Sequence, residues 1–543
     1  MKAPSLLIAL LAALAAGAAS AQAAAPGANP AVAPTEPDIV MPQVILQIED
    51  LSVEKVEAQL PPEEELLPPE RKIPVLSEGD LAIGEPTITG AAADTETTTG
   101  DQRDRFLASA IDLGAGMLNG IKGSISLKTL GADPRFSLRF DHETLDGLSW
   151  EPPGSGFNLR TDALDGTLKL KLGGIVDAEL GGSFLETETG LQGHAFPYVA
   201  RLARVVSGSA SFSATPLDWL SLRAGMEGSY DTLTLTGSLP LQLEGLRVAP
   251  SLSAQARFGS VKAGLETRYD FRVDPATSLS AGGPLHRFQA SASFGADLPA
   301  TFILEGSAGW FWNSAGLSLV PFTIAFTGTP FDFMTLSLEV GYRVDRYDMQ
   351  DLLAVHPLSL PNSVADDRGW FGDSSFQFTI TRDLAATLKL SYLASDALAI
   401  GAGVQNPGTG LFAVTQRQGM RLSSDVGVRW GITQSVSVSA GWTHHNIDRL
   451  FFTPQDSWNA ELIGLEPAGR FGGSLSISLA PTPTGDLQQP VVRASGFWKI
   501  SEFVKLRLDG DDLLWPLLGG GRFDIPPYVK PGLRISGSLS MSL

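Results

Sequence analysis

From residue 121 to the end of the chain, apolar residues alternate with small or polar ones at a period of two. On an extended backbone this sends one set to each face. At the end of the chain, Leu533, Ile535, Leu539, Met541 and Leu543 share one face, and Arg534, Ser536, Ser538, Ser540 and Ser542 the other. The same alternation sets Leu168, Leu170 and Leu172 against Lys169 and Lys171. It also sets Val436, Val438, Ala440 and Trp442 against Ser437, Ser439 and Thr443, and Leu475, Ile477 and Leu479 against Ser474, Ser476 and Ser478. A soluble sandwich alternates too, but its domains usually end after ~100 residues. Here the repeat continues without a linker. Short turns recur at Thr215–Asp218, Thr329–Asp332, Thr381–Asp383, Ile432–Gln434 and Ile500–Glu502, with longer polar connections between them. Trp219, Phe331, Phe333, Trp430 and Trp498 lie beside those turns, and Tyr230, Trp310, Tyr342, Tyr392 and Trp442 lie roughly 9 to 14 residues past them. That spacing suits two interfacial girdles about one membrane crossing apart, ~9–11 residues of tilted strand. The fold class expected is all-β, a transmembrane antiparallel β-barrel. At roughly 25 residues per strand with its connection, it would have about 16 to 18 strands.

Composition sharpens the picture at the other end of the chain. Lys2, the apolar run Leu6–Leu14 and the small residues around Ala19–Ala23 read as a secretory signal peptide over residues 1–21. Residues 22–116 then form an arm rich in Pro, Ala, Thr and acid, with Glu63–Glu65 between Pro61-Pro62 and Pro68-Pro69. Pro at that density stops helices and central strands alike, so the arm is expected to be mostly disordered and periplasmic, ahead of a barrel spanning 117–543. Residues 26–120 hold 18 Asp and Glu against 5 Lys and Arg, a net −13 out of the chain's −20. Only Val44–Ile48 within the arm is strand-like. The acidic balance excludes a nucleic-acid binder, which needs clustered cations. With no Cys, neither disulfides nor thiolate chemistry is available. After the first twenty residues no apolar run is long enough for a membrane helix.

A resemblance lies in the last segment. Leu506–Leu514, then Tyr528-Val529-Lys530-Pro531-Gly532-Leu533-Arg534 and the final alternating stretch resemble the closing segment of TonB-dependent receptors. Asp511-Asp512-Leu513 stands where that family has a Glu-Asn-Leu-like loop, and Leu543 replaces its terminal aromatic. The resemblance implies the family's barrel type. It does not reach the family's N-terminal plug, which has no recognisable counterpart in this sequence.

Candidate chemistry is sparse. The histidines are His142, His194, His286, His356, His444 and His445, none at a metal or triad spacing. His444-His445 with Asp448 is the nearest approach to a metal site, but adjacent residues on a strand point opposite ways. No catalytic residue, metal or cofactor is expected. The inward charges Lys169, Lys171, Arg223, Glu227, Glu339, Arg343, Lys389, Arg429, Lys505, Arg507 and Arg534 are the candidate pore lining. The expected location is the cell outer membrane. The expected partners are outer-membrane lipid, the barrel-assembly machinery and a periplasmic partner of the acidic arm. The function expected is a porin-like or receptor-like channel passing solutes across that membrane. The alternative is a structural or assembly protein with a blocked lumen and a partner-binding arm, and the resemblance would also allow the arm to dock an energy-coupling protein.

Overall fold

The computed structural model describes residues 107–542, apart from connecting stretches at 130–132, 148–153, 155, 274–283, 300, 348, 350–357, 361–365, 406–410, 448–453, 482–487, 519–522 and 526–527. The expected signal peptide and nearly all of the expected acidic arm lie outside the described residues. Twenty-two antiparallel strands close into a ring. Closure is explicit in the register: Leu107–Gly116 pairs with Ile121–Thr129 on one side and with the last strand, Arg534–Ser542, on the other. Hydrocarbon offers no partner to an unpaired backbone group, and a closed ring leaves no strand edge without one.

The strand number exceeds the expected 16 to 18 because the spacing is tighter than ~25 residues per strand. Val504–Asp511 spans 8 residues, and Phe471–Leu479, Val491–Lys499 and Arg534–Ser542 span 9 each. The ring also begins at Leu107, ahead of the expected boundary at 117. The first strand reads LASAIDLGAG, and its many small residues blur the alternation that identifies the others.

Directly opposed residues in an antiparallel pair share a face. Ile111, Ile125, Phe140, Leu164, Phe184, Val206, Tyr230 and Leu246 stand opposite one another in succession around one third of the wall. Most of this row is exposed, as are Leu338, Val340, Leu475, Ile477, Leu506, Leu539 and Met541 on the same side elsewhere. This is the lipid-facing belt. The opposite side carries small and polar residues, as in the row Lys128, Ser137, Thr167, Gly181, Ser209 and Glu227.

The two girdles are in place. Trp219 stacks on Phe258 at 5.4 Å and Phe331 on Phe333 at 5.3 Å, with Trp430 and Trp498 exposed at the same end. Towards the other end, Tyr230, Trp310, Tyr392 and Trp442 are exposed, and Tyr342 meets the edge of Trp370 at 5.4 Å. Beyond this upper girdle the outward face turns polar. His142 Nδ1 lies 2.5 Å from Asp162, Arg160 bridges Asp162 at 2.6 Å and Glu186 at 3.5 Å, and Arg204 bonds Glu186 at 2.5 Å. Carboxylates and guanidiniums in a row mark where the hydrocarbon ends.

Strand direction sorts the connections by length. The turns around 173–175, 218–219, 259–260, 332–333, 380–383, 434–435 and 500–503 all fall at one end, together with Leu107 and Ser542. Gly173, Gly174 and Gly259 make two of these turns with positive φ, a conformation that residues with a Cβ rarely adopt. The longer connections fall at the opposite end, among them 147–157, 191–197, 346–366 and 512–533. Outer-membrane barrels keep short turns in the periplasm and long loops outside, so the long-loop end is the extracellular mouth.

Candidate functional site

Among the described residues the inner face of the ring carries varied chemistry, and the inward charges picked out by alternation are dispersed around it. Lys169 pairs with Glu179 at 3.4 Å, Glu227 with Arg268 at 2.6 Å, Arg507 with Asp509 at 2.8 Å and Arg534 with Asp511 at 2.5 Å. Arg343 lies 3.0 Å from Asp345 and 3.8 Å from Asp373, with its guanidinium 4.7 Å above the Phe371 ring. Glu339 faces Asp373 in register, Lys171 faces Asp177, Lys389 faces Asp425, and Arg429 faces Ser439. Arg223 donates to Ser211 Oγ at 3.3 Å, and Lys505 Nζ sits 4.1 Å over Phe497. They are spread around the ring and do not converge on one point.

Three features that alternation did not single out are concentrated towards the extracellular end. The first is a buried charge network. Arg287 donates through Nε to Asp366 at 3.0 Å and through Nη2 to the other oxygen of the same carboxylate, while Asn313 donates to Asp366 at 2.7 Å. Asp270, 1% exposed, has Arg247 at 3.4 Å, Arg346 at 3.6 Å and Arg287 at 3.7 Å. Asp270 and Asp366 thus share the guanidiniums of Arg247, Arg287 and Arg346 in one buried network.

The second feature is the group Arg346, Tyr347 and Met349, which lies against that wall. Arg346 donates to Gln289 and lies 5.8 Å over Phe311, while Arg272 donates to the Tyr347 carbonyl. Burial lowers the Arg346 pKa from the usual arginine range, and Asp270 opposes that shift. Met349 packs with Ala203, Leu233 and Leu243. It fits because the facing residue is Gly245, where a Cβ would stand 3.3 Å from the Met349 sulfur.

The third feature is an apolar cap across the mouth. Leu191, Ala195, Leu235, Leu358, Leu411, Phe412 and Tyr528 form one buried cluster. These residues come from separated parts of the ring: the 191–197 connection with the strand beside it, the 346–366 connection with the strand beginning at Phe412, and the 512–533 connection. Gln192 and Val529 exchange two hydrogen bonds at 2.9 Å each, and Ser359–Leu360 pairs in parallel with Phe412–Ala413. Below the cap, a recess of about 370 Å³ opens in the inner wall among Gly181, Ser183, Ser207, Ser209 and Ser229, with Asp165, Glu227 and Arg247 on its lining.

His444 and His445 diverge. His444 bonds Asp456 at 2.8 Å and His445 bonds Ser423 at 2.9 Å, while Asp448 lies outside the described residues. Among the described residues, no group of His, Asp and Glu converges to hold a metal.

No protein-family profile matches the sequence, and no curated protein matches it. Solved structures do match. The ferric enterobactin receptor PfeA from Pseudomonas aeruginosa superposes with a TM-score of 0.62 at 10% identity, over 81% of this chain and 80% of that one. The copper transporter OprC gives a TM-score of 0.62 at 13% identity over 80% of both chains. The FrpB iron transporter from Neisseria meningitidis gives 0.62 at 9% identity, over 81% of this chain and 83% of that one. The fold is that of the TonB-dependent receptor barrel. The segment that suggested this barrel from sequence forms its last hairpin: Val504–Asp511 pairs with Arg534–Ser542, and Tyr528 between them enters the cap. A TonB-receptor-like barrel with a lipid-facing belt and girdles is an outer-membrane protein, with outer-membrane lipid as its surroundings.

Proposed function

We propose that the chain is a gated outer-membrane channel that passes solutes, closer to a receptor than to an open porin. The observation that carries this reading is the cap. Side chains from well-separated parts of a wide barrel meet in an apolar cluster across the extracellular mouth, above a wall lined with charge. An open porin has no need to bury Tyr528, Leu191 and Phe412 against one another over its entrance. A ring of 22 strands is wide enough to hold an aqueous lumen. The inward charges, Lys169, Lys171, Arg223, Glu227, Glu339, Arg343, Lys389, Arg429, Lys505, Arg507 and Arg534, would then tune which solutes pass.

Planar-bilayer conductance tests the reading. The intact protein should conduct little, and a Gln192→Ala/Tyr528→Ala variant, with the cap loosened, should conduct several-fold more. If the loosened variant stays silent while remaining a folded barrel, the lumen is blocked below the cap. The structural reading, a closed barrel with a partner-binding arm, then takes its place. Binding of a periplasmic partner or an energy-coupling protein to the acidic arm, and delivery by the barrel-assembly machinery, belong to the same proposal. Pull-downs with the full-length chain from periplasmic extract address the arm.

A further inference from the structure

Arg201 is the most deeply buried cation in the wall that has no ion pair or hydrogen bond among the described residues. It is 2% exposed, and its Nε and Nη2 are enclosed with no hydrogen-bond partner. Its direction follows from the register. Val206 belongs to the lipid-facing row, so Arg201, at the opposite parity, points into the lumen, between Thr189 on one neighbouring strand and Leu235 on the other. Leu235 is part of the apolar cap. The guanidinium is therefore buried on a strand that adjoins the cap.

Such an arrangement is costly. An uncompensated buried charge destabilises its surroundings far more than a paired one, and proteins normally supply an opposite charge or leave a water path. Other cations of the upper wall have carboxylate partners within the chain: Arg287 has Asp366, Arg268 has Glu227, and Arg346 has Asp270. Asp231, buried on the neighbouring strand, accepts from Ser229. Among the described residues no carboxylate bonds the enclosed Nε and Nη2 of Arg201, so a bound anion would supply its counter-charge.

We propose that Arg201 anchors an anion-binding site beneath the cap, and that the solute taken by the channel carries a carboxylate or phosphate group. Planar oxyanions match the two-donor edge of a guanidinium, and such charge-assisted pairs are the strong ones. An anion entering while the mouth is open would supply the counter-charge that closure otherwise buries alone. Closure over a filled site is then favoured over closure on an empty one. The inference rests on the reading of the barrel as a capped solute channel. Its test uses binding in detergent, which can fail or succeed whatever the conductance shows.

The full-length protein, wild type and with Arg201→Met, Arg201→Gln or Arg201→Lys, is titrated with citrate, inorganic phosphate and, as a neutral control, sucrose. The readouts are the thermal midpoint and calorimetric heat. Folding of each variant is checked beforehand by the gel shift between unheated and boiled samples. A ligand that binds only the folded state raises its midpoint in proportion to occupancy. The wild-type midpoint should rise by several degrees with citrate, phosphate or both, and not with sucrose. Whichever anion acts identifies the group recognised. Arg201→Met should melt above the wild type in anion-free buffer, because the orphan charge is gone, and it should lose the anion response. Arg201→Lys should keep part of that response. If Arg201→Met does not fold, Arg201→Gln, which keeps hydrogen-bonding capacity without the charge, must lose the response instead. Absence of any response in the wild type overturns the proposal, as does an equal response in wild type and the uncharged variants.

Discussion

Placing arginine at position 338 and, separately, at position 337 tests the lipid-facing assignment of the whole wall, because the two residues are neighbours on one strand. Leu338 is exposed, stands opposite Phe326, and lies between Phe333 of the lower girdle and Tyr342 of the upper one. Nine residues from Phe333 to Tyr342, at ~3.3 Å each, give ~30 Å along the strand. With a tilt of ~40°, this becomes a height of ~23 Å, close to the ~25 Å apolar band of such barrels. Leu338 then sits about 12 Å from either girdle, at the midplane. Arginine there should cost ~2–4 kcal/mol. That corresponds to a folding equilibrium weakened roughly 30- to 700-fold. Ser337 points the other way, its hydroxyl 3.4 Å from Thr327 Oγ1, and it shares its inward face with Glu339. An arginine at 337 reaches water and a carboxylate, and should change stability by less than ~1 kcal/mol. The assay is urea-dependent folding into lipid vesicles followed by tryptophan fluorescence, with the gel shift as a second probe. Because a slip of one residue exchanges the two faces of a strand, equal costs, or a larger cost at 337, would refute the assigned register.

Purified barrel that has not been heated should migrate differently from the boiled sample on a gel; identical migration would contradict a closed ring. Asp366→Ala should cost ~3–5 kcal/mol by leaving the buried Arg287 with only the more distant Asp270, which it shares with two other arginines, whereas Arg287→Met/Asp366→Leu together should cost much less, both read from urea midpoints. Gly237→Ala would bring a Cβ to 2.2 Å from the Pro197 carbonyl, so the 191–197 connection must shift. Its bilayer conductance should rise above the wild type without loss of the gel shift. Gly114→Val would press on Lys122, which crosses the first and last strands to reach Asp509 at 3.2 Å. The unheated form should then convert to the heated one at a lower temperature.

Alternation of period two is a local property, legible wherever a strand has one face in lipid and the other in water. It located the wall, the faces of Leu338 and Ser337, both girdles and the end of the barrel that carries the short turns. It undercounted strands because their number depends on how many residues each connection takes, and the strands from Phe471 onward are short. It placed the start of the barrel late because Leu107–Gly116, rich in Ala and Gly, carries little contrast between faces. That the ring closes at Leu107 follows only from the pairing of Gly116 with Ser536 and Ala110 with Ser542, residues more than 400 positions apart.

The site shows the division more sharply. Lys169, Glu339 and Arg507 could be assigned to the inward face from sequence, since parity alone decides it. The cap could not, because nothing local to Leu191, Leu358, Phe412 or Tyr528 says that they meet; each sits in or beside a connection that sequence reading treats as solvated. The same holds for Arg201 and Arg287. By parity both are ordinary inward cations, yet one becomes a compensated member of a buried network and the other an orphan on a strand that adjoins the cap. Local alternation determines which way a side chain points. What it meets there depends on which distant segments the closed ring brings over the lumen, and only the tertiary structure decides that.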